Sequence, residues 1–202
     1  MRPMVGNQVS DLLSGYHEFE RVVESEKPHP SYKHVLVTSL LRAAGRTGIP
    51  LTEEQARELP RKWGRLPVFP DVEDMLAGLR SMNCRLGVLT NCDKELFQQT
   101  ERNFQKPFDL VVTAEEMQDY KPSLTHFQHF AQVTQVEPAN WIHVACSWFH
   151  DINPARQLGI KRIWLDRDST GEDPASASVR LQSAGEVCPA VRRLWSDSPE
   201  SS

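Results

Sequence analysis

Four short apolar runs, each followed by a polar turn and a helical stretch, constrain this chain more than any other feature. The runs cover 84–90, 108–113, 141–146 and 161–166, and a shorter one covers 179–182. Residues 71–83, 93–103, 123–136, 151–158 and 185–195 carry apolar side chains at helical spacing, with Asp71 placed as an N-cap. Short strands alternating with helices predict a parallel sheet covered on both faces, the Rossmann-like form of the α/β class.

Residues 1–67 have a different texture. Val9, Leu12, Leu13, Tyr16, Phe19, Val22 and Val23 recur every three or four positions, and Val35, Leu36, Leu40, Leu41 and Ala44 repeat the rhythm. Pro28 and Pro30 separate these two helices, and Gly48 with Pro50 closes the second. Thr52-Glu53-Glu54-Gln55 reads as a capping box opening a third helix, which Pro60 interrupts. The expected domains are a helical segment at 1–67, an α/β segment at 68–196 and a disordered tail at 197–202. A hydrophobic share of 39% in 202 residues suffices for one core with a small appended domain.

Charge and composition exclude several classes. The formal net charge is −4, so no basic excess favours nucleic acid or an anionic membrane. No apolar run approaches the ~18 residues of a membrane span, and the first residues show no secretory pattern. Cys84, Cys92, Cys146 and Cys188 have no Cys-x-x-Cys spacing, which predicts reduced thiols and a cytoplasmic setting.

In a doubly wound sheet, ligands bind at the carboxyl ends of the strands. Thr90-Asn91 follows the first run, Tyr120-Lys121-Pro122 follows the second, and Ser147 then His150-Asp151 follow the third. A hydroxyl, an amide, a lysine and a carboxylate at one sheet edge suit a small anionic substrate. Thr90 and Asn91 donate hydrogen bonds to anion oxygens, Lys121 neutralises developing charge, and Asp151 holds the lysine or a cation. Asp151 also suits the N-cap of its helix. His143 reads as a satisfied core histidine, His150 as a neighbour packed against the site, and Trp148 as a packing anchor close to the site, with a wall for a small apolar group as its alternative. His126 and His129, three apart, lack companions for a metal set.

The series VLTN, YKP and HVACSWFHDINPARQLGI resembles motifs II, III and IV of the haloacid dehalogenase (HAD) superfamily. The likeness is strongest to its type II 2-haloacid dehalogenase branch. WGRLPVFPDVEDMLAGLR and the helical N-terminal segment also resemble that branch, the latter its helical cap. The resemblance covers most of residues 10–195. It implies hydrolysis of small 2-haloacids through an aspartyl ester, with Thr90, Asn91 and Ser147 binding substrate. Lys121 would steady the nucleophile and Asp151 would be the motif IV acid. No cofactor is expected, with weak Mg²⁺ binding only in the alternative of a HAD phosphatase acting on a small phosphoester. Metal-dependent members usually carry a further acid five residues before the motif IV acid, where this chain has Cys146. The resemblance also allows a homodimer. A cap arginine binds the substrate carboxylate in the family, but Arg21, Arg42, Arg46 and Arg57 read as solvent-facing.

The implied nucleophile belongs to a motif on a strand ahead of the cap. The only aspartate before residue 70 is Asp11, inside a helical pattern, so the nucleophile is assigned to no residue here. Leu165-Asp166-Arg167-Asp168-Ser169-Thr170 has the right letters, but it follows the motif IV strand and reads as a loop. The first central strand is therefore expected to be missing, leaving the strands that end at Thr90 and Cys146 unpaired or paired with each other. Such a chain would be a truncated product, an inactive remnant or binding module, or one completed by a partner.

Overall fold

The computed structural model describes residues 6–196. The tail expected at 197–202 lies outside the described residues. In chain order the elements are α1 (Gly6–Glu24), α2 (Tyr32–Arg46), α3 (Glu53–Ala56), α4 (Glu58–Arg61) and α5 (Val72–Ser81). Then follow β1 (Gly87–Thr90), α6 (Lys94–Glu101), β2 (Leu110–Thr113), α7 (Ala114–Met117) and α8 (Thr125–Thr134). The last are β3 (Ile142–Ala145), α9 (Asn153–Gln157), β4 (Lys161–Leu165), β5 (Val179–Leu181) and α10 (Val187–Ser196).

Two compact units emerge. The helical unit comprises the residues up to Pro67 together with Asn91–Asn103 and Thr113–Tyr120. The α/β unit comprises Val68–Thr90, Phe104–Val112 and the chain from Lys121 onward.

In the helical unit, α1 packs on α2, and Val23, Val35, Ala114 and Tyr120 form a small core against Tyr32. The capping box is present: Thr52 Oγ1 accepts from Gln55 N, and Thr52 N donates to Gln55. Val9, Leu13 and Val22 face solvent, so the apolar rhythm of α1 exceeds the stripe it buries. Glu20 is buried instead, accepting hydrogen bonds from Tyr16 Oη at 3.0 Å and Tyr32 Oη at 2.9 Å.

In the α/β unit, strand residues alternate between two apolar layers, as a two-residue period requires. Ile142, Val144, Ile163 and Leu165 enter a cluster with Leu79, Val187 and Val191. Leu89 joins Phe127, Trp141, Ala155 and Ile160 in the other. The parallel ladder is β3–β4–β5, with Val144 opposite Ile163 and Ile163 opposite Val179. The strands that end at Thr90 and Cys146 are expected to be unpaired or paired with each other; β1 pairs with β2, β3 with β4, and among the described residues no ladder joins β1 to β3. Leu86 and Ile142 nevertheless share one apolar cluster, and Leu89 and Trp141 share the other. The strands are held by side chains rather than by backbone hydrogen bonds.

Asp71 precedes α5 but does not cap it. Its carboxylate takes a bidentate pair from Arg167, at 3.0 and 2.8 Å, and accepts from Ser183 Oγ and Ala184 N. A guanidinium fork offers Asp71 two charge-assisted bonds, against one neutral bond from a helix amide.

Candidate active site

The site in the α/β unit is built where β1 and β3 end. After β3, Ser147 caps a π-helical turn at Trp148–Ile152: Asp151 N and Ile152 N both donate to Ser147 O, at 3.1 and 3.2 Å. The wide turn coils Asp151 back beside the strand. Asp151 is therefore not the N-cap of α9. Its Oδ1 accepts from Lys121 Nζ at 2.6 Å and lies 3.0 Å from His143 Nε2, on β3. Lys121 Nζ also donates to Leu89 O of β1, at 2.8 Å. One ammonium thus spans the ends of two strands that share no ladder.

All three side chains are buried: Lys121 is 6% exposed, Asp151 7% and His143 9%. Burial alone would raise the Asp151 carboxyl. The Lys121 charge and the His143 hydrogen bond outweigh it and hold the group well below the ordinary carboxylate range. Asp151 is an anion at neutral pH, and its lysine partner is fixed in place.

Ser147 Oγ accepts from His150 N at 3.1 Å and stands 3.0 Å from His150 Nδ1. Thr90 closes β1, half-buried, one residue past the carbonyl that holds Lys121. Asn91 falls in the helical unit, where its Nδ2 donates to the buried Glu24 at 3.0 Å. The structure thus brings Lys121 and Asp151 into contact, sets Ser147 on the turn before Asp151, and gives Asn91 a carboxylate partner. Of the cap arginines, Arg42, Arg46 and Arg57 pair with Glu26, Glu18 and Glu53 at the surface.

His143, read from the sequence as a satisfied core histidine, is buried and hydrogen-bonded as expected; what the sequence did not name is its partner, Asp151. Asp166 takes no part. It is buried at the end of β4, where its carboxylate accepts from Thr170 N and Oγ1 and pairs with Arg180. The Asp166–Thr170 stretch is a loop held by its own first residue.

A resident Mg²⁺ needs several hard oxygen ligands. The donors here do not fit one. Asp151 Oδ1 is spent on an ammonium and an imidazole, and Cys146 is exposed five residues before it. Among the described residues no three His, Cys, Asp or Glu side chains converge to hold a metal.

Comparison with known proteins places the fold. The haloacid dehalogenase-like hydrolase family matches residues 52–165. A phosphoserine phosphatase of Thermus thermophilus is 30% identical over 141 residues, covering 66% of this chain and 57% of that protein. Mouse haloacid dehalogenase-like hydrolase domain-containing protein 3 is 29% identical over 143 residues, covering 66% and 55%. The chain thus spans a little over half the length of these curated relatives. Among solved structures, the L-2-haloacid dehalogenase of Xanthobacter autotrophicus superposes with a TM-score of 0.76 at 17% identity, over 92% of this chain and 86% of that one. A HAD phosphatase from Thermococcus onnurineus superposes at 0.61 and 19% identity, over 91% and 89%. With more than half of its residues matched, this α/β chain belongs to the haloacid dehalogenase-like hydrolase family.

Proposed function

We propose that this site serves hydrolytic dehalogenation of a small 2-haloacid without a metal ion. The observation that supports the reading is the buried Lys121–Asp151 pair, in which an ammonium rather than a metal ion balances the carboxylate. In this chemistry a carboxylate oxygen attacks the carbon bearing the halogen, and halide departs with the bonding electrons. Water then cleaves the ester. Lys121 supplies positive charge to steady an attacking carboxylate, and Asp151 with His143 keeps that charge in place. Ser147 and Thr90 offer hydroxyls to the carboxylate of the substrate. The attacking carboxylate itself is assigned to no residue of this chain.

A second reading is phosphoester hydrolysis, favoured by the 30% identity to a protein named phosphoserine phosphatase. Two assays on the purified chain separate them. Halide release from 2-chloropropionate, unchanged by a chelator, supports dehalogenation. Phosphate release from phosphoserine that requires Mg²⁺ overturns it in favour of the second reading. Neither product, with the chain folded by circular dichroism, marks a non-catalytic member.

A further inference from the structure

Ser147 and His150 form a pair of which the reading above uses only the Ser147 hydroxyl, and that only as a hydrogen-bond donor. Ser147 Oγ already accepts the backbone N–H of His150, at 3.1 Å. That bond occupies a lone pair and leaves the hydroxyl proton available, and His150 Nδ1 lies 3.0 Å away. With the ring neutral and its proton on Nε2, the hydroxyl donates to Nδ1. That is the contact through which an imidazole activates a serine. Both residues are half-buried. The turn that carries them is π-helical, a geometry that recurs at functional sites. The indole N–H of Trp148, next in the chain, is buried with no acceptor in the structure. A buried donor without a partner is uncommon.

We propose that Ser147 and His150 constitute a nucleophile–base dyad that accepts an acyl group from small neutral esters. Ser147 Oγ attacks the carbonyl carbon while its proton passes to His150 Nδ1. The C–O bond to the leaving alcohol breaks, and the alcohol departs with the proton from His150. Water then attacks the acyl carbon, giving its proton to His150, and the acid leaves as Ser147 regains its hydroxyl. No co-reactant other than water is needed. A neutral ester suits the surroundings because the nearby ammonium, on Lys121, is paired with Asp151. The activity shares Ser147 with the haloacid reading but does not rest on it, since neither Lys121 nor a carboxylate nucleophile takes part.

The test treats the purified chain with 4-nitrophenyl acetate and, separately, with a fluorophosphonate probe. Tryptic peptides are then mapped by mass spectrometry. The expected result is an adduct on Ser147 from both reagents, with nitrophenol release. Ser147→Ala should lose adduct and turnover, and His150→Gln should slow acylation by about 10²-fold while circular dichroism stays unchanged. The inference is overturned if wild-type Ser147 carries no adduct, or if acylation maps to the exposed Cys146. Equal labelling in His150→Gln would also remove the imidazole from the mechanism.

Discussion

Lys121 and Asp151 carry the highest stakes of any two side chains in this molecule. Taking one charge from a buried pair strands the other in a medium that solvates it poorly, which typically costs about 3–5 kcal/mol. Asp151→Asn should lower unfolding stability by about that much, measured as a shift of the urea midpoint, because it leaves buried Lys121 without its carboxylate. Lys121→Met should lose a comparable amount. The double variant Lys121→Met/Asp151→Asn should lose clearly less than the two single losses added, since neither charge is left alone. Additive losses would mean that the 2.6 Å contact contributes no coupling. From the sequence, Lys121 and Asp151 follow two strands at one sheet edge, and Asp151 reads as the holder of the lysine or of a cation; the structure gives it the lysine. What the sequence hid was the partner of His143, because nothing in an apolar run announces that one imidazole turns toward a carboxylate eight residues on. It also gave Asp71 to the helix it precedes, when Arg167, 96 residues away, holds that carboxylate more strongly.

At the scale of elements, the apolar runs located every strand, because a strand buried on both faces must be apolar throughout. The errors are at the ends. The first run was expected from Cys84, but Asn83 takes a left-handed conformation at φ 59° and the ladder begins only at Gly87. The helix expected from Asp151 is a π-helical turn followed by five residues of α9, because Ser147 rather than Asp151 supplies the cap. The break between β1 and β3 was legible only through resemblance, since no local pattern reports which strands pair. It has a measurable consequence. Residues of β4 are bonded on both sides, to β3 and β5, whereas β1 is bonded to β2 alone. Amides of β1 should exchange with deuterium through local opening, well before those of β4, which should follow global unfolding. Matching protection in the two strands would mean that the break carries no energetic weight. β1 relies instead on packing: Gly87 lies against the Phe130 ring, where a Cβ would overlap it. Gly87→Ala should therefore cost about 1–3 kcal/mol in urea unfolding, and Phe130→Leu in the same chain should recover part of it.

Over the whole molecule, the carboxylates tie stability to pH in one direction. Asp151, Asp71 and Asp166 in the α/β unit, and Glu20 and Glu116 in the helical unit, are all held below their ordinary range. For Asp71 the chief cause is the Arg167 hydrogen bond. For the other four, burial pulls upward, and hydrogen bonds or opposite charges outweigh it. Each folded carboxyl binds its proton less readily than the unfolded one. On acidification the unfolded chain therefore takes up more protons, and stability falls. The contribution is complete above the unfolded values, about 3.9 for Asp and 4.3 for Glu, and drains as pH drops toward the folded ones. Net charge reinforces the effect: at pH 7, 27 acidic residues offset 23 basic ones, and protonating the acids leaves the basic charge unopposed. The urea midpoint should hold roughly level from about pH 7 to 5 and fall steeply below about 4. Both units should lose structure there, because each holds carboxylates of this kind. Asp71→Asn should start from a lower midpoint and show a shallower acid limb, since its own proton uptake is gone. A midpoint that stayed level down to pH 2 would mean that these carboxylates titrate alike in the folded and unfolded chains.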